Sequence, residues 1–135
     1  AGLNGIEIKD FGGHGFSPIE SGAIIYEMAK VDMSCTTFIM VHNCIGMNVI
    51  DKLGSDEQRN RILPDCMKFK KIVAFGLSEA AYGSDASSLK TNAKKVEGGY
   101  ILNGEKRWIG NGTIADYIVI WARNEDDEGR IQGFV

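Results

Sequence analysis

The chain predicts an α+β fold, a helical-bundle fragment followed by an antiparallel β-sandwich or barrel. Helix-capping sequences and apolar residues at 3–4-residue spacing are confined to residues 1–71. Short β-forming runs separated by Gly-rich turns fill residues 72–135. Between them, Ile72 to Asp85 begins as an apolar β run and opens at Ser78-Glu79 into a loop of small residues. The helical half is thus 1–71 and the β half 72–135. Because helices and strands come in separate blocks, alternating βαβ units are excluded.

Residues 1 to 16 are Gly-rich and read as loop, with a short extended piece at Gly5 to Lys9. Ser17-Pro18-Ile19-Glu20 is a capping box with proline at the first helical position. Ile24, Ile25, Met28 and Val31 recur at helical spacing, and the helix should end near Asp32. Ser34 offers the N-cap of a longer helix that reaches Lys52 or Leu53, with Gly54 as its stop. That helix is apolar on several faces, as a buried helix is. His42 and Asn43 interrupt it, as core polar groups or as the rim of a ligand cavity. Ser55 to Gln58 caps a further helix that Pro64 should end near Ile62, with a last turn over Asp65 to Phe69.

In the second half, Thr91 to Val96 alternates, Glu97-Gly98-Gly99 is a hairpin turn, and Tyr100 to Leu102 returns as a strand. Asn103-Gly104 marks a second turn, after which Lys106 to Ile109 should resume extended structure. Asp116 to Ala122 is the strongest β run, and a strand from Arg130 follows an acidic loop.

A net charge of -3 with scattered basic residues gives no nucleic-acid footprint. Three cysteines, Cys35, Cys44 and Cys66, lack C-x-x-C spacing and imply reduced thiols in an intracellular compartment. His14 has no companion at metal-ligand spacing, so no metal is expected. No uninterrupted apolar run approaches the roughly 18 residues of a membrane span. The chain has no initiator Met and stops inside a predicted strand, so it is expected to be an internal piece of a longer chain.

No Gly-x-Gly-x-x-Gly opens a helix after a strand, and Walker, His-Glu-x-x-His and Gly-x-Ser-x-Gly sequences are absent. The chemistry must come from the loop itself. Leu77 to Ser84 presents successive backbone N–H groups with the hydroxyls of Ser78 and Ser84, donors suited to a heterocycle with acceptor atoms or to a phosphate. Trp108, beside the glycine loop Gly110-Asn111-Gly112, is either core or an aromatic wall for a flat ligand.

Three blocks in order carry a family resemblance. Gly76-Leu77-Ser78-Glu79 with Gly83-Ser84-Asp85 is similar to the first signature of the acyl-CoA dehydrogenase and acyl-CoA oxidase flavoproteins. Leu102-Asn103-Gly104-x-Lys106-x-Trp108-Ile109-x-Asn111 resembles their downstream block, and Gly54 to Arg59 with Leu63-Pro64 resembles their link out of the helical domain. The resemblance implies FAD in a cleft, an acyl-CoA substrate, and a C-terminal helical domain that carries the catalytic carboxylate. No catalytic residue is therefore expected here, and Glu79 belongs to the cofactor loop. It further implies that Phe75, Gly76, Leu77 and Ser78 edge the flavin, that Gly83 and Ser84 lie at the pyrophosphate, and that Ser84 also meets the acyl-CoA. Trp108, Ile109 and Gly110 would form the flavin wall.

Ala80 stands where the family has Pro, Tyr82 where it has a small residue, and Gly110 where many dehydrogenases have Thr. With Val31-Asp32-x-Ser34-Cys35-x-Thr37-Phe38 and Val41-His42, the Trp-Ile-Gly-Asn form most resembles the plant-type short-chain acyl-CoA oxidase branch. The arginine of glutaryl-CoA dehydrogenases would fall at Thr36. The expected activity is α,β-desaturation of acyl-CoA thioesters in fatty-acid β-oxidation, by a homo-oligomer, tetramer or dimer. Electrons would pass to an electron-transferring flavoprotein in a mitochondrial or cytoplasmic dehydrogenase, or to molecular oxygen in a peroxisomal oxidase. A glutaryl-CoA-type or other acyl-CoA dehydrogenase, a flavin monooxygenase or nitroalkane-oxidising relative, and a non-catalytic binding module on the same fold are the alternatives.

Overall fold

The computed structural model describes residues 2–135, in two compact units. One comprises the chain up to Ala74 together with Gly110–Ile118, and the other Phe75–Ile109 together with Val119–Val135.

Helix α1, Pro18–Val31, starts at the predicted capping box: Ser17 Oγ accepts the Glu20 N–H while the Glu20 carboxylate accepts the Ser17 N–H at 2.8 Å. Ile24, Ile25 and Met28 are half-buried, whereas Val31 is exposed. The next helix is capped by Asp32 and not by Ser34, because the Asp32 carboxylate accepts the Cys35 N–H at 2.8 Å. An ionised oxygen is the stronger acceptor for a helix's unpaired first-turn donors. It runs as α2, Met33–Met40, widens to a π-helix over Val41–Met47, and resumes as α3, Asn48–Leu53. Asn43 accounts for part of the widening: its Nδ2 donates to the Ile39 carbonyl at 3.2 Å and its Oδ1 accepts the Gly5 N–H at 2.6 Å. Gly54 stops the helix in extended backbone rather than in the left-handed region.

The continuous helical run Met33–Leu53 is 21 residues long with a window of mean hydropathy 1.3, long and apolar enough to cross a membrane by length and composition. The sequence predicts no apolar run approaching that length, and the continuous helix differs because the π turn joins α2 and α3 without a break. In the structure it is the central helix of its unit, with Thr36, His42, Asn43, Gly46, Met47, Asn48 and Ile50 buried. Helix α4, Asp56–Cys66, does not end near Ile62 but passes through Pro64. An interior proline costs about 3 kcal/mol; the complete burial of Ile62, Leu63 and Cys66 in this turn offsets it. The predicted extended piece at Gly5 to Lys9 is irregular. Buried Ile6 and Ile8 pin it to the unit, and Arg59 fastens its end through Asp10 and Asp51, each at 2.8 Å.

His42 settles the choice left open for it. Its ring is fully buried among Phe38 and Phe69, with centroids 6.4 and 5.1 Å away. Nδ1 accepts the Val73 N–H at 3.1 Å, so the ring is neutral and Nε2 donates to the Cys66 carbonyl at 3.2 Å. Burial pushes its pKa below the ordinary 6.5 despite the Cys66 bond. His42→Leu leaves two buried backbone groups unpaired and is expected to lower stability by about 2–4 kcal/mol, measured by equilibrium unfolding. Since the folded pKa is the lower one, wild-type stability should be whole above 6.5 and decline as pH falls below it. The leucine variant should lose that part of the pH slope.

The strands are β1 (Val73–Gly76), β2 (Asn92–Val96), β3 (Gly99–Asn103), β4 (Tyr117–Asn124) and β5 (Arg130–Phe134). They form a sheet of order β1-β4-β2-β3, with β5 also on β4. β2 and β3 make the predicted hairpin, antiparallel with Val96 opposite Gly99. The sheet is mixed where a wholly antiparallel one was expected, because β2 also runs parallel to β4 at Asn92↔Arg123 and Ala93↔Asn124. The connection from β2 to β4, residues 97–116 with β3 inside it, is long enough for this parallel pairing, which a tight hairpin cannot make.

Candidate functional site

The β unit contains one buried charged constellation, and it sits where β1 ends. Gly76 closes that strand against β4: a Cβ there would lie 2.7 Å from Ile120 Cδ1. After it come Leu77 and Ser78, half-buried, and Glu79, only 9% exposed. A carboxylate taken out of water needs its lone pairs filled. Glu79 Oε2 accepts the Lys90 N–H at 2.7 Å. Its Oε1 accepts the Thr91 N–H at 2.9 Å, the Thr91 hydroxyl at 2.5 Å and the Lys106 ammonium at 2.9 Å. Burial alone would raise the Glu79 pKa. The Thr91 hydroxyl, the Lys106 ammonium and the two backbone N–H groups outweigh it and bring it down to about 2. Such a group is no proton acceptor near neutrality, and Glu79 is excluded as a base.

Lys106 does a second thing. Its ammonium also donates to the Leu77 carbonyl at 2.9 Å, and the Arg107 N–H donates to the Ser78 carbonyl at 2.9 Å. Two stretches about thirty residues apart, 76–79 and 104–107, are thereby joined at the strand end. With both carbonyls occupied, the polar groups this segment can turn to a ligand are N–H and hydroxyl donors. Gly104 makes the junction possible, because a Cβ there would stand 2.5 Å from Thr91 Oγ1 and 2.7 Å from Thr91 Cα.

Beyond Glu79 the loop folds on itself. The Glu79 N–H donates to the Tyr82 carbonyl at 3.0 Å and the Tyr82 N–H to the Glu79 carbonyl at 3.2 Å. Ala80 and Ala81 are the exposed tip, and Tyr82 is half-buried with the Lys90 ammonium 5.7 Å from its ring. The turn therefore closes without proline at position 80. A shallow cleft of about 220 Å³ runs between this tip, Lys90 and Gly104-Glu105. Gly83 and Ser84 are exposed, and nothing stands within 4 Å of where a Cβ on Gly83 would be. Asp85 opens a one-turn 3₁₀ helix, Ala86–Ser88, and accepts the Ser87 hydroxyl at 2.8 Å.

The stretch from Lys106 to Ile109 is irregular rather than the expected strand. Lys106 is drawn inward to Glu79, and Trp108 takes a left-handed backbone, φ 62°, which breaks any ladder. Trp108 is 86% exposed, with the Arg107 guanidinium 5.7 Å from its ring. A left-handed conformation costs a non-glycine residue roughly 1–2 kcal/mol. Trp108 is thus a large exposed aromatic held in a costly backbone conformation two residues after Lys106.

Other predicted positions have packing roles. Phe75 is half-buried edge-on to Trp121, with centroids 6.2 Å apart. Ile109 is half-buried. Gly110 falls in the helical unit, where a Cβ would lie 2.9 Å from Val41 Cγ2. Thr91 was not picked out from the sequence, and Lys106 had no role assigned. A lysine two residues after Asn-Gly was the available signal, but its partner Glu79 lies 27 residues away.

The helical unit has a larger cleft, about 490 Å³, lined by Leu3, Asn4, Phe11, His14, Met67 and Phe69 among others. Among the described residues it holds no buried ion pair, and its His14 Nε2 lies 2.9 Å from the Gly2 carbonyl oxygen. Among the described residues no three His, Cys, Asp or Glu side chains converge as a metal site, and all three cysteines are free. Burial, with the charges of Asp116 and Asp65 added, pushes the Cys66 thiol up to about 12, so it is inert.

Residues 1–70 match the family model described as acyl-CoA dehydrogenase, N-terminal domain, and residues 74–135 match acyl-CoA dehydrogenase, middle domain. Over 130 residues the chain is 39% identical to mitochondrial isobutyryl-CoA dehydrogenase of Dictyostelium discoideum, covering 95% of this chain and 31% of that protein. A glutaryl-CoA dehydrogenase structure from Mycobacterium smegmatis aligns with TM-score 0.91 and 36% identity, over 99% of this chain and 34% of that one. A glutaryl-CoA dehydrogenase structure from the same organism, in complex with FADH2, aligns with TM-score 0.91 and 33% identity, over 98% and 34%. The chain thus spans about a third of the length of these relatives.

Proposed function

The chain belongs to the acyl-CoA dehydrogenase family, and on that premise we propose that it is the FAD- and acyl-CoA-binding portion of a flavoenzyme that desaturates acyl-CoA thioesters between the α and β carbons. FAD, when bound, supplies the hydride acceptor. The observation that carries the proposal is the junction of 76–79 with 104–108: Lys106 and Arg107 occupy the carbonyls of Leu77 and Ser78 and leave donors for a ring's acceptor edge. Phe75 to Ser78 would border the isoalloxazine, with the Leu77 and Ser78 amides and the Ser78 hydroxyl as its polar partners. Trp108 would cover its face, with Ile109 and Gly110 next in the chain. Open space at Gly83 suits close approach of a pyrophosphate, and exposed Ser84 could meet both it and the thioester substrate.

The full-length protein containing this chain should purify yellow, release FAD on denaturation, and lose its flavin absorbance when an acyl-CoA is added anaerobically. A colourless protein that takes up no FAD would instead be a binding module on the same fold. The Trp-Ile-Gly-Asn sequence favours the oxidase branch, whereas the names of the relatives favour a dehydrogenase that needs an electron-accepting flavoprotein. Stoichiometric hydrogen peroxide in air identifies the first and its absence the second. The mitochondrial relative supports a mitochondrial setting for the dehydrogenase form, and a peroxisomal one would accompany peroxide formation; a homo-oligomer rests on the family resemblance.

A further inference from the structure

We propose that Lys106, held by Glu79, is a positioning residue that aims the Ser78 amide at the bound flavin. This rests on the assignment of the strand end as the FAD site and adds which residue sets its geometry. A trans peptide points its N–H opposite to its C=O, and no cis peptide occurs in the described chain. The Leu77 carbonyl and the Ser78 N–H belong to one peptide plane. By gripping the Leu77 carbonyl at 2.9 Å, the Lys106 ammonium turns the Ser78 N–H directly away from itself.

Nothing in that grip would hold if the ammonium could wander. Lys106 is 7% exposed in its side chain, and Glu79, 8% exposed, receives it at 2.9 Å. Glu79 is in turn fixed by the Thr91 hydroxyl and by the Lys90 and Thr91 N–H groups. The second plane is set in the same way, because the Arg107 N–H holds the Ser78 carbonyl while the Glu79 N–H is spent on Tyr82. Of the two amide planes around Ser78, only the first directs an N–H toward a ligand, and Lys106 controls it. A preset donor costs no reorganisation when charge accumulates on the group it faces. Reduction makes the flavin's acceptor edge more electron-rich, so a correctly aimed amide favours the reduced form.

The test uses the full-length protein with Lys106→Met, Lys106→Arg and Thr91→Val. Three readouts are needed: FAD affinity of the apoprotein, the two-electron reduction equilibrium of the bound flavin, and the melting temperature. Lys106→Met should bind FAD at least about tenfold more weakly. Its reduction equilibrium should shift about tenfold toward oxidised flavin, about 30 mV for a two-electron couple. Lys106→Arg, which keeps a donor for both Leu77 and Glu79, should recover most of both. Thr91→Val loosens only the Glu79 end and should move the equilibrium the same way by about threefold; it carries the test if Lys106→Met does not fold. A flavin with wild-type potential in both Lys106→Met and Thr91→Val, with only the melting temperature lowered, overturns the positioning role. A wild-type protein without FAD overturns the assignment of the site itself.

Discussion

Glu79→Gln should be the most destabilising polar substitution in the β unit, at roughly 3 kcal/mol or more at neutral pH. Glutamine is nearly isosteric, so the loss is electrostatic. It leaves the Lys106 ammonium, 7% exposed in its side chain, without a counter-charge. It also puts an amide donor where the Lys90 N–H, or the Thr91 N–H and hydroxyl, need an acceptor. Acid titration supplies an independent check. The Glu79 pKa is 4.5 in the unfolded chain and about 2 in the folded one. Because the folded value is depressed, its contribution is complete above about 4.5 and is lost as pH falls toward 2. A shift of that size corresponds to roughly 3 kcal/mol of unfolding free energy. Wild-type protein should lose that much more stability than Glu79→Gln between pH 5 and 2. Parallel acid slopes for the two proteins would show that Glu79 is not held as described.

Trp108→Gly is expected to act in the opposite sense on folding and on the cofactor. The side chain is 86% exposed, so removing it uncovers almost nothing, and glycine accepts φ 62° without penalty. Stability should be unchanged or higher by up to about 1 kcal/mol. An aromatic face stacked on a flat ring contributes on the order of 1 kcal/mol beyond its buried area. With that area added, FAD affinity should fall about tenfold or more. A flavin titration of the variant and a thermal melt of its apoprotein decide the matter. Unchanged affinity removes Trp108 from the site, and a lowered melting temperature makes it a structural residue.

Local signals in the chain were enough for the helices that cap themselves. Ser17 with Glu20 and Ser55 with Gln58 form their capping boxes as the sequence predicts, because every participant lies within three residues. The Val96–Gly99 hairpin was legible for the same reason. Where long-range partners decide, sequence reading stopped short. Pro64 stays inside a helix because Leu63 and Cys66 gain complete burial. The π turn depends on Asn43 meeting Asn4 and Gly5, 39 and 38 residues away. The parallel contact of β2 with β4 depends on a long connection rather than on strand composition.

The site divides along the same line. The loop after β1 and the exposed tryptophan could be singled out from residue types and their order. Thr91 and Lys106 could not be given roles, since what defines them is convergence on one buried carboxylate from two other segments. Glu79 was set aside as a base on family pattern alone. Its pKa of about 2, produced by four donors, supplies the physical reason.

Hydrogen–deuterium exchange on the full-length protein, with and without FAD, tests the central claim most directly. Saturating FAD should slow exchange in segments 75–79, 83–85 and 106–110. It should leave the exposed β2–β3 turn at 96–99 unchanged, as an internal control. Protection confined to other segments, with 75–79 and 106–110 exchanging as fast as in the apoprotein, would contradict the assignment of this strand end as the flavin site.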